Sequence, residues 1–302
     1  MLSYTGQRNL FGTLVNNSDA TILTTADTLI NDQRRFVLSR KNWWFLEKAF
    51  TFTTVAAQQF YTLQGDIDRV ISDPYVAVGN TRYTPRECQS RNVWDRLNLV
   101  TYSSDVPAWW IQYNNTVGIF PKPTTSNYVY TVNAKQKQVD MSLADYSTGT
   151  IVSVANGGTA VVGNGTTWTA GMVGMWIRIT QTTAANSGDG IWYQISAVPS
   201  TTSITLATNY GGPAIAAAST SYTIGQMSVL PDAYDSLPVY LALQTYFTSI
   251  EPDSDKHEKY GNMAGALMTQ MERDQSNRTG GRVLDDGIVA TSIINPNLTV
   301  GF

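Results

Sequence analysis

Residues 34–54 read RRFVLSRKNWWFLEKAFTFTT. A helical pattern ends in this stretch, a strand pattern begins, and two adjacent tryptophans stand at the change. Upstream, Ile22, Leu29, Phe36 and Trp43 recur every seven residues, and Leu23, Ile30, Val37 and Trp44 do so one position on. That spacing predicts an amphipathic helix of about 25 residues, roughly 38 Å long. Asn17, Ser18 and Asp19 supply its N-cap. Two apolar columns side by side fit a core helix, or one wedged between its own domain and a neighbouring subunit. Arg34, Arg35, Arg40 and Lys41 read as a basic face, either solvated or turned to an acidic partner. Downstream, Phe50, Phe52 and Thr54 alternate with Thr51 and Thr53, which predicts a strand. Phe36, Trp43, Trp44 and Phe45 are therefore the candidate structural junction or subunit interface.

Beyond the junction, strand patterns continue at residues 59–63, 66–72, 75–78, 82–84, 109–113, 117–120 and 128–134. Gly79–Asn80 and Asn114–Asn115 mark hairpin turns. With a helical turn or two within 86–99, residues 50–140 read as an antiparallel, aromatic-rich β-domain. Composition then breaks: between positions 147 and 225 the only charged residues are Arg178 and Asp189. Six short β runs separated by Gly/Asn turns predict an inserted β-sandwich or barrel. Helical pattern resumes at residues 237–250, apolar on most sides and therefore buried, with Pro238 in its first turn. After Glu251–Pro252–Asp253 a third helix is expected to about residue 275. The predicted class is α+β. A helical bundle (18–49 and 228–275) carries the β-domain and the insertion, with an arm at 1–17 and an extended apolar tail at 276–302.

The chain has 302 residues and a formal net charge of −3, room for roughly two domains of about 100–200 residues. Charged residues are 14%, against about 25% in typical domains. A strongly basic nucleic-acid binder is excluded on net charge. Cys88 is the sole cysteine, so no intrachain disulfide forms. The start of the chain lacks a signal-like apolar run, and no stretch reaches membrane-spanning length. The expected setting is the cytoplasm or an assembly built there, with no membrane contact.

No catalytic constellation stands out, and no enzyme activity, cofactor or metal is expected. The single histidine, His257, sits among Asp253, Asp255 and Glu258, a solvated helix surface rather than a ligand set. The Gly-rich runs at 157–165 and 211–218 lack the Lys-Ser/Thr of a phosphate loop. Acidic pairs occur, but nothing selects one as a hydrolase dyad. Trp168, Trp176, Trp192 and Tyr193 in the insertion offer an alternative reading: a tail-associated or capsid-surface protein with a carbohydrate-binding β-domain.

The runs WWFLEKAFTFTTVAAQQFYTL (43–63), GNTRYTPREC (79–88), WWIQYNNTVGIFPKPT (109–124), NYVYTVNAKQK (127–137) and LPDAYDSLPVYLALQTYF (230–247) resemble tailed-phage head-to-tail adaptor proteins. The order of segments carries the resemblance, over about residues 19–137 and 230–275. Residues 147–225 depart from short adaptors, and VVGNGTTWTAGMVGMWIRI (161–179) is similar to small β-domains of phage structural proteins. The resemblance implies a homo-oligomeric ring of twelve in the virion neck, assembled in the host cytoplasm. Its partners would be the portal protein, a tail or nozzle protein, and double-stranded DNA passing through without sequence-specific binding. The apolar tail residues Ile288, Ile293, Ile294, Leu298, Val300 and Phe302 are the candidate portal contact.

Overall fold

The computed structural model describes residues 1–100, 102–183, 186–216 and 219–294, with side chains described as far as Arg278. The chain divides into two compact units: residues 1–37 with 140–302, and residues 38–139. The fold is mixed α+β, as expected. The N-terminal residues are not an arm. They form α1 (Tyr4–Val15), with the Ser3 hydroxyl accepting from the Gly6 N–H at 3.1 Å. Asn16 ends it at φ 59°, its N–H bonded back to Gly12 and Thr13, a left-handed C-terminal cap. The next helix, α2 (Ala20–Ser39), has 20 residues and stops short of the tryptophans. Trp43 is already extended (φ −69°, ψ 139°), and a single 3-10 turn at Trp44–Leu46 leads into the first strand. The seven-residue recurrence therefore runs past the helix it predicted.

Residues 38–139 form two sheets rather than one. The first holds β1 (Glu47–Thr53), β3 (Ile67–Val70), β4 (Tyr75–Val78), β5 (Thr81–Tyr83) and β9 (Val129–Gln136), in the order β1-β9-β4-β5 with β3 also on β9. The second holds β2 (Phe60–Thr62), β6 (Arg86–Glu87), β7 (Trp109–Tyr113) and β8 (Thr116–Phe120), in the order β2-β8-β7-β6. β6 pairs parallel with β7, against an antiparallel expectation. β1 and β2 lie in different sheets, and Ala57, in the link between them, stands at φ 64°. Both sheets share one core, in which Phe50, Tyr130 and Val132 meet Trp110, Val117 and Ile119. The Phe52 ring stacks between Tyr61 at 4.5 Å and Tyr130 at 5.0 Å. A smaller cluster of Cys88, Trp94, Ile111 and Phe120 seats α3 (Arg91–Leu97). At Gly118 a Cβ would come within 2.7 Å of the Phe60 ring, so only glycine fits there.

The weakly charged segment folds as β10 (Thr150–Val154), β11 (Ala160–Asn164), β12 (Trp176–Ile179), β13 (Trp192–Ser200), β14 (Ser203–Leu206) and β15 (Tyr222–Gly225), six strands where six runs predicted them. Their order is β10-β11-β14-β13-β12-β15. The two end strands then meet. Ile224 donates to the Tyr146 carbonyl at 2.7 Å, Ile151 to Thr220 at 2.8 Å and Ile215 to Val154 at 2.8 Å. These bonds join residues 146–154 to 215–224 and close the sheet into a small barrel, which removes the exposed edges of an open sheet. Ile151, Ile177, Ile195, Ile204, Leu206 and Ile224 fill the interior.

Two helices complete this unit: α4 (Leu237–Ser249) and α5 (Ser254–Ile294). Pro238 lies in the first turn of α4, and Asp253 caps α5 by accepting from the Lys256 N–H at 3.0 Å. Phe11 of α1, Ala26 and Ile30 of α2, Leu243 and Phe247 of α4 and Tyr260 of α5 lie in one hydrophobic cluster. Four helices thus share this core, α1 having been read as an arm. α5 does not end near residue 275 either. Gly280, Gly281 and Gly287 sit within it. A helix-interior glycine costs about 1 kcal/mol against alanine, a penalty that weakens a helix without forcing a break.

Candidate interaction surfaces

The junction residues separate by environment. Trp43 is fully buried, Trp44 and Phe45 half-buried, and Phe36 on α2 is 51% exposed. The Trp43 ring lies parallel to Phe45 at 6.0 Å and edge-on to Trp44 at 6.5 Å. Trp43 is therefore packing, while Phe36 is exposed on α2.

The basic face does not hold together. Arg34 is 2% exposed, and burial pushes its guanidinium below the ordinary arginine value. Arg35 turns outward to Asp140, its Nε donating to Oδ1 at 2.8 Å, and that bond holds the Asp140 carboxyl below the usual carboxylate range. Arg40 and Lys41 are exposed beyond the helix end.

They belong instead with a group that pattern reading missed. Lys135 on β9 donates from Nζ to the Leu38 carbonyl at 3.0 Å and approaches that of Lys41 at 3.4 Å. Arg69 on β3, paired in register with Lys135, bonds to the Asn42 side chain. The Lys137 N–H bonds to the Asp66 carbonyl at 2.6 Å, and Lys48 pairs with the Asp66 carboxylate. Three segments distant in sequence thus lie against one another, and they carry six Lys/Arg residues. A charge census by segment would have shown the excess: residues 38–139 carry eleven Lys/Arg against seven Asp/Glu, and the rest of the chain nine against sixteen.

In the barrel, the proposed aromatic platform is divided. Trp168 is buried, its Nε1 donating to the Tyr222 hydroxyl at 2.9 Å. Tyr193 points inward and donates to Asp189 at 2.6 Å. Trp176 and Trp192 are half-buried, and the Arg178 guanidinium lies 4.8 Å from the centre of the Trp192 ring. Alternation along β13 places Tyr193 inside, and Trp168, on the loop after β11, is packed in the barrel core, so a sugar platform loses two of its four rings.

Two other surfaces stand out. Leu99 is 83% exposed, with Val100, Tyr102 and Val106 also exposed on the loop between α3 and β7. Asp105 anchors that loop by accepting from the N–H groups of Thr124 and Thr125 at 2.9 and 2.7 Å. Ile288, Ile293 and Ile294 of the candidate tail lie on α5, while Leu298, Val300 and Phe302 fall outside the described residues. His257 faces α4, its Nδ1 lying 3.3 Å from the Gln244 carbonyl. Among the described residues no group of three or more His, Cys, Asp or Glu could hold a metal ion, and no helix is long and apolar enough to cross a membrane.

Residues 8–154 match the family model described as the SU10 adaptor protein. The match runs from α1 through residues 38–139 and ends in β10. No curated protein matches the chain significantly. The match over residues 8–154, just under half of the chain, supports a phage head-to-tail adaptor family.

Proposed function

We propose that this protein is the adaptor ring of a phage neck: twelve copies docked on the portal, extending the DNA channel and presenting the platform on which a tail or nozzle protein assembles. The family match from α1 to β10 carries this reading. The role is structural, without catalysis or cofactor, and assembly takes place in the host cytoplasm. Heterologous contacts that close by rotation make such a ring. Exposed Phe36 and the loop bearing Leu99, Val100 and Tyr102 supply apolar surface for subunit or tail contacts, since exposed apolar patches mark interaction sites. Ile288, Ile293 and Ile294 on α5, followed in sequence by Leu298, Val300 and Phe302, are assigned to the portal. The test is electron microscopy of the purified protein mixed with its portal. The expected result is a second ring stacked coaxially on the portal ring. Portal rings that remain bare at saturating protein would overturn the reading.

A further inference from the structure

We infer that residues 38–139 carry a phosphate-binding surface for duplex DNA, centred on Arg40, Lys41, Arg69 and Lys137. All four side chains are exposed. The bonds from Lys135 to the Leu38 carbonyl and from Arg69 to Asn42 tie their backbone segments together within one unit. Segments 38–48, 66–70 and 135–139 hold six Lys/Arg against Glu47, Asp66 and Asp68, and Lys48 already engages Asp66. The surplus is local. Elsewhere the chain is acidic, nine Lys/Arg against sixteen Asp/Glu, and repels a polyanion. Whole-chain net charge conceals this division.

The chemistry of the surface favours nucleic acid over a protein ligand. Tight protein contacts centre on desolvated aromatic anchors. Here Trp43 is buried, and Val139 is the one large apolar side chain exposed on these segments among the described residues. Long cationic stems on a strand-built support suit phosphates, which fix position without reading sequence. The inference deepens the adaptor reading, which places DNA beside the protein, but binding by the purified chain is measured without portal or tail.

The experiment is fluorescence anisotropy of a labelled mixed-sequence duplex with the full chain over a salt series. Four phosphate contacts give a slope of log affinity on log salt of about −3.6, or roughly a 100-fold loss between about 50 mM and about 200 mM salt. The double variant Arg69→Gln/Lys137→Gln should lower the magnitude of that slope by about 2, near one unit per lost contact. Arg273→Gln/Arg278→Gln on α5 removes the same net charge and should leave affinity and slope unchanged. Should the first double variant fail to fold by circular dichroism, Lys41→Gln alone should lower the slope by about 0.9. Absence of duplex binding, a slope near zero, or equal losses in the two double variants would overturn the inference. None of those outcomes touches the ring-on-portal test.

Discussion

Asp235 shows how one buried side chain sets a pH dependence. It is 4% exposed and accepts from the Leu2 N–H at 2.9 Å; burial outweighs that bond and raises its pKa to about 6. A carboxyl whose folded pKa lies above its unfolded value binds more protons folded than unfolded across the interval between them. Its contribution to stability is then complete below about pH 4 and is lost as pH rises through about 6. At about 1.4 kcal/mol per unit, the loss approaches 3 kcal/mol. Asp235→Asn should therefore gain on the parent by up to about 3 kcal/mol between pH 4 and pH 7, measured by urea unfolding at both. A constant difference would mean that Asp235 titrates normally. The tryptophans make a second residue-scale contrast. Trp43→Ala empties a fully buried site and should cost about 3–5 kcal/mol, whereas half-buried Trp44 should cost clearly less. Equal unfolding midpoints for the two variants would contradict the burial difference. Sequence spacing placed the two rings on parallel columns and could not rank them, because the chain leaves the helix between Ser39 and Trp43.

At the scale of elements, legibility followed the locality of the signal. All six barrel strands were readable, since alternation and Gly/Asn turns are written in consecutive residues. The α4–α5 break was readable for the same reason, from Pro252 and the Asp253 cap. The helix α1 was not, because its buried residues Tyr4, Gln7, Phe11 and Gly12 include a polar side chain and a glycine. Its core partners on α4 lie more than 200 residues away. The separation of β2 from β1 and the parallel β6–β7 pair depend on long-range pairing that no local pattern encodes. The candidate site divided in the same way. Arg40 and Lys41 were visible on their own stretch, whereas Arg69 and Lys137 joined them only through strand register. Closure of the barrel yields its own prediction. At Gly188 a Cβ would lie 2.3 Å from the Ile179 carbonyl oxygen, and a backbone atom cannot rotate aside. Gly188→Ala should cost about 1–3 kcal/mol, read from the melt of a fragment spanning 144–227. That fragment includes both closing segments and the whole barrel core, so it should itself unfold cooperatively. A non-cooperative melt of the parent fragment would show that the closing bonds are too weak to hold the barrel alone.

For the whole molecule, the decisive division is between what each unit needs in order to fold and what it has left over for others. The described buried residues of α5 run from Tyr260 through Ala264 and Met268 to Met271, and the Tyr234 hydroxyl bonds to Asp274 one turn further on. Beyond Arg278 the sequence still holds Leu284, Ile288, Val289, Ile293 and Ile294, more apolar residues than a solvated helix end requires. An apolar segment of this length is costly to leave in water, at about 1.5–3 kcal/mol for each large side chain that burial would recover. Assembly is the economical use for it, and the adaptor reading supplies the partner. Ending the chain after Arg278 should therefore leave the secondary structure and the melting temperature of the remainder nearly unchanged, while abolishing co-sedimentation with portal rings. A truncated protein that still sediments with the portal would move the docking surface to Phe36 or to the loop bearing Leu99. A truncated protein that melts well below the parent would instead show that residues 279–302 stabilise the helical core, which separates a folding role from an assembly role in one pair of measurements.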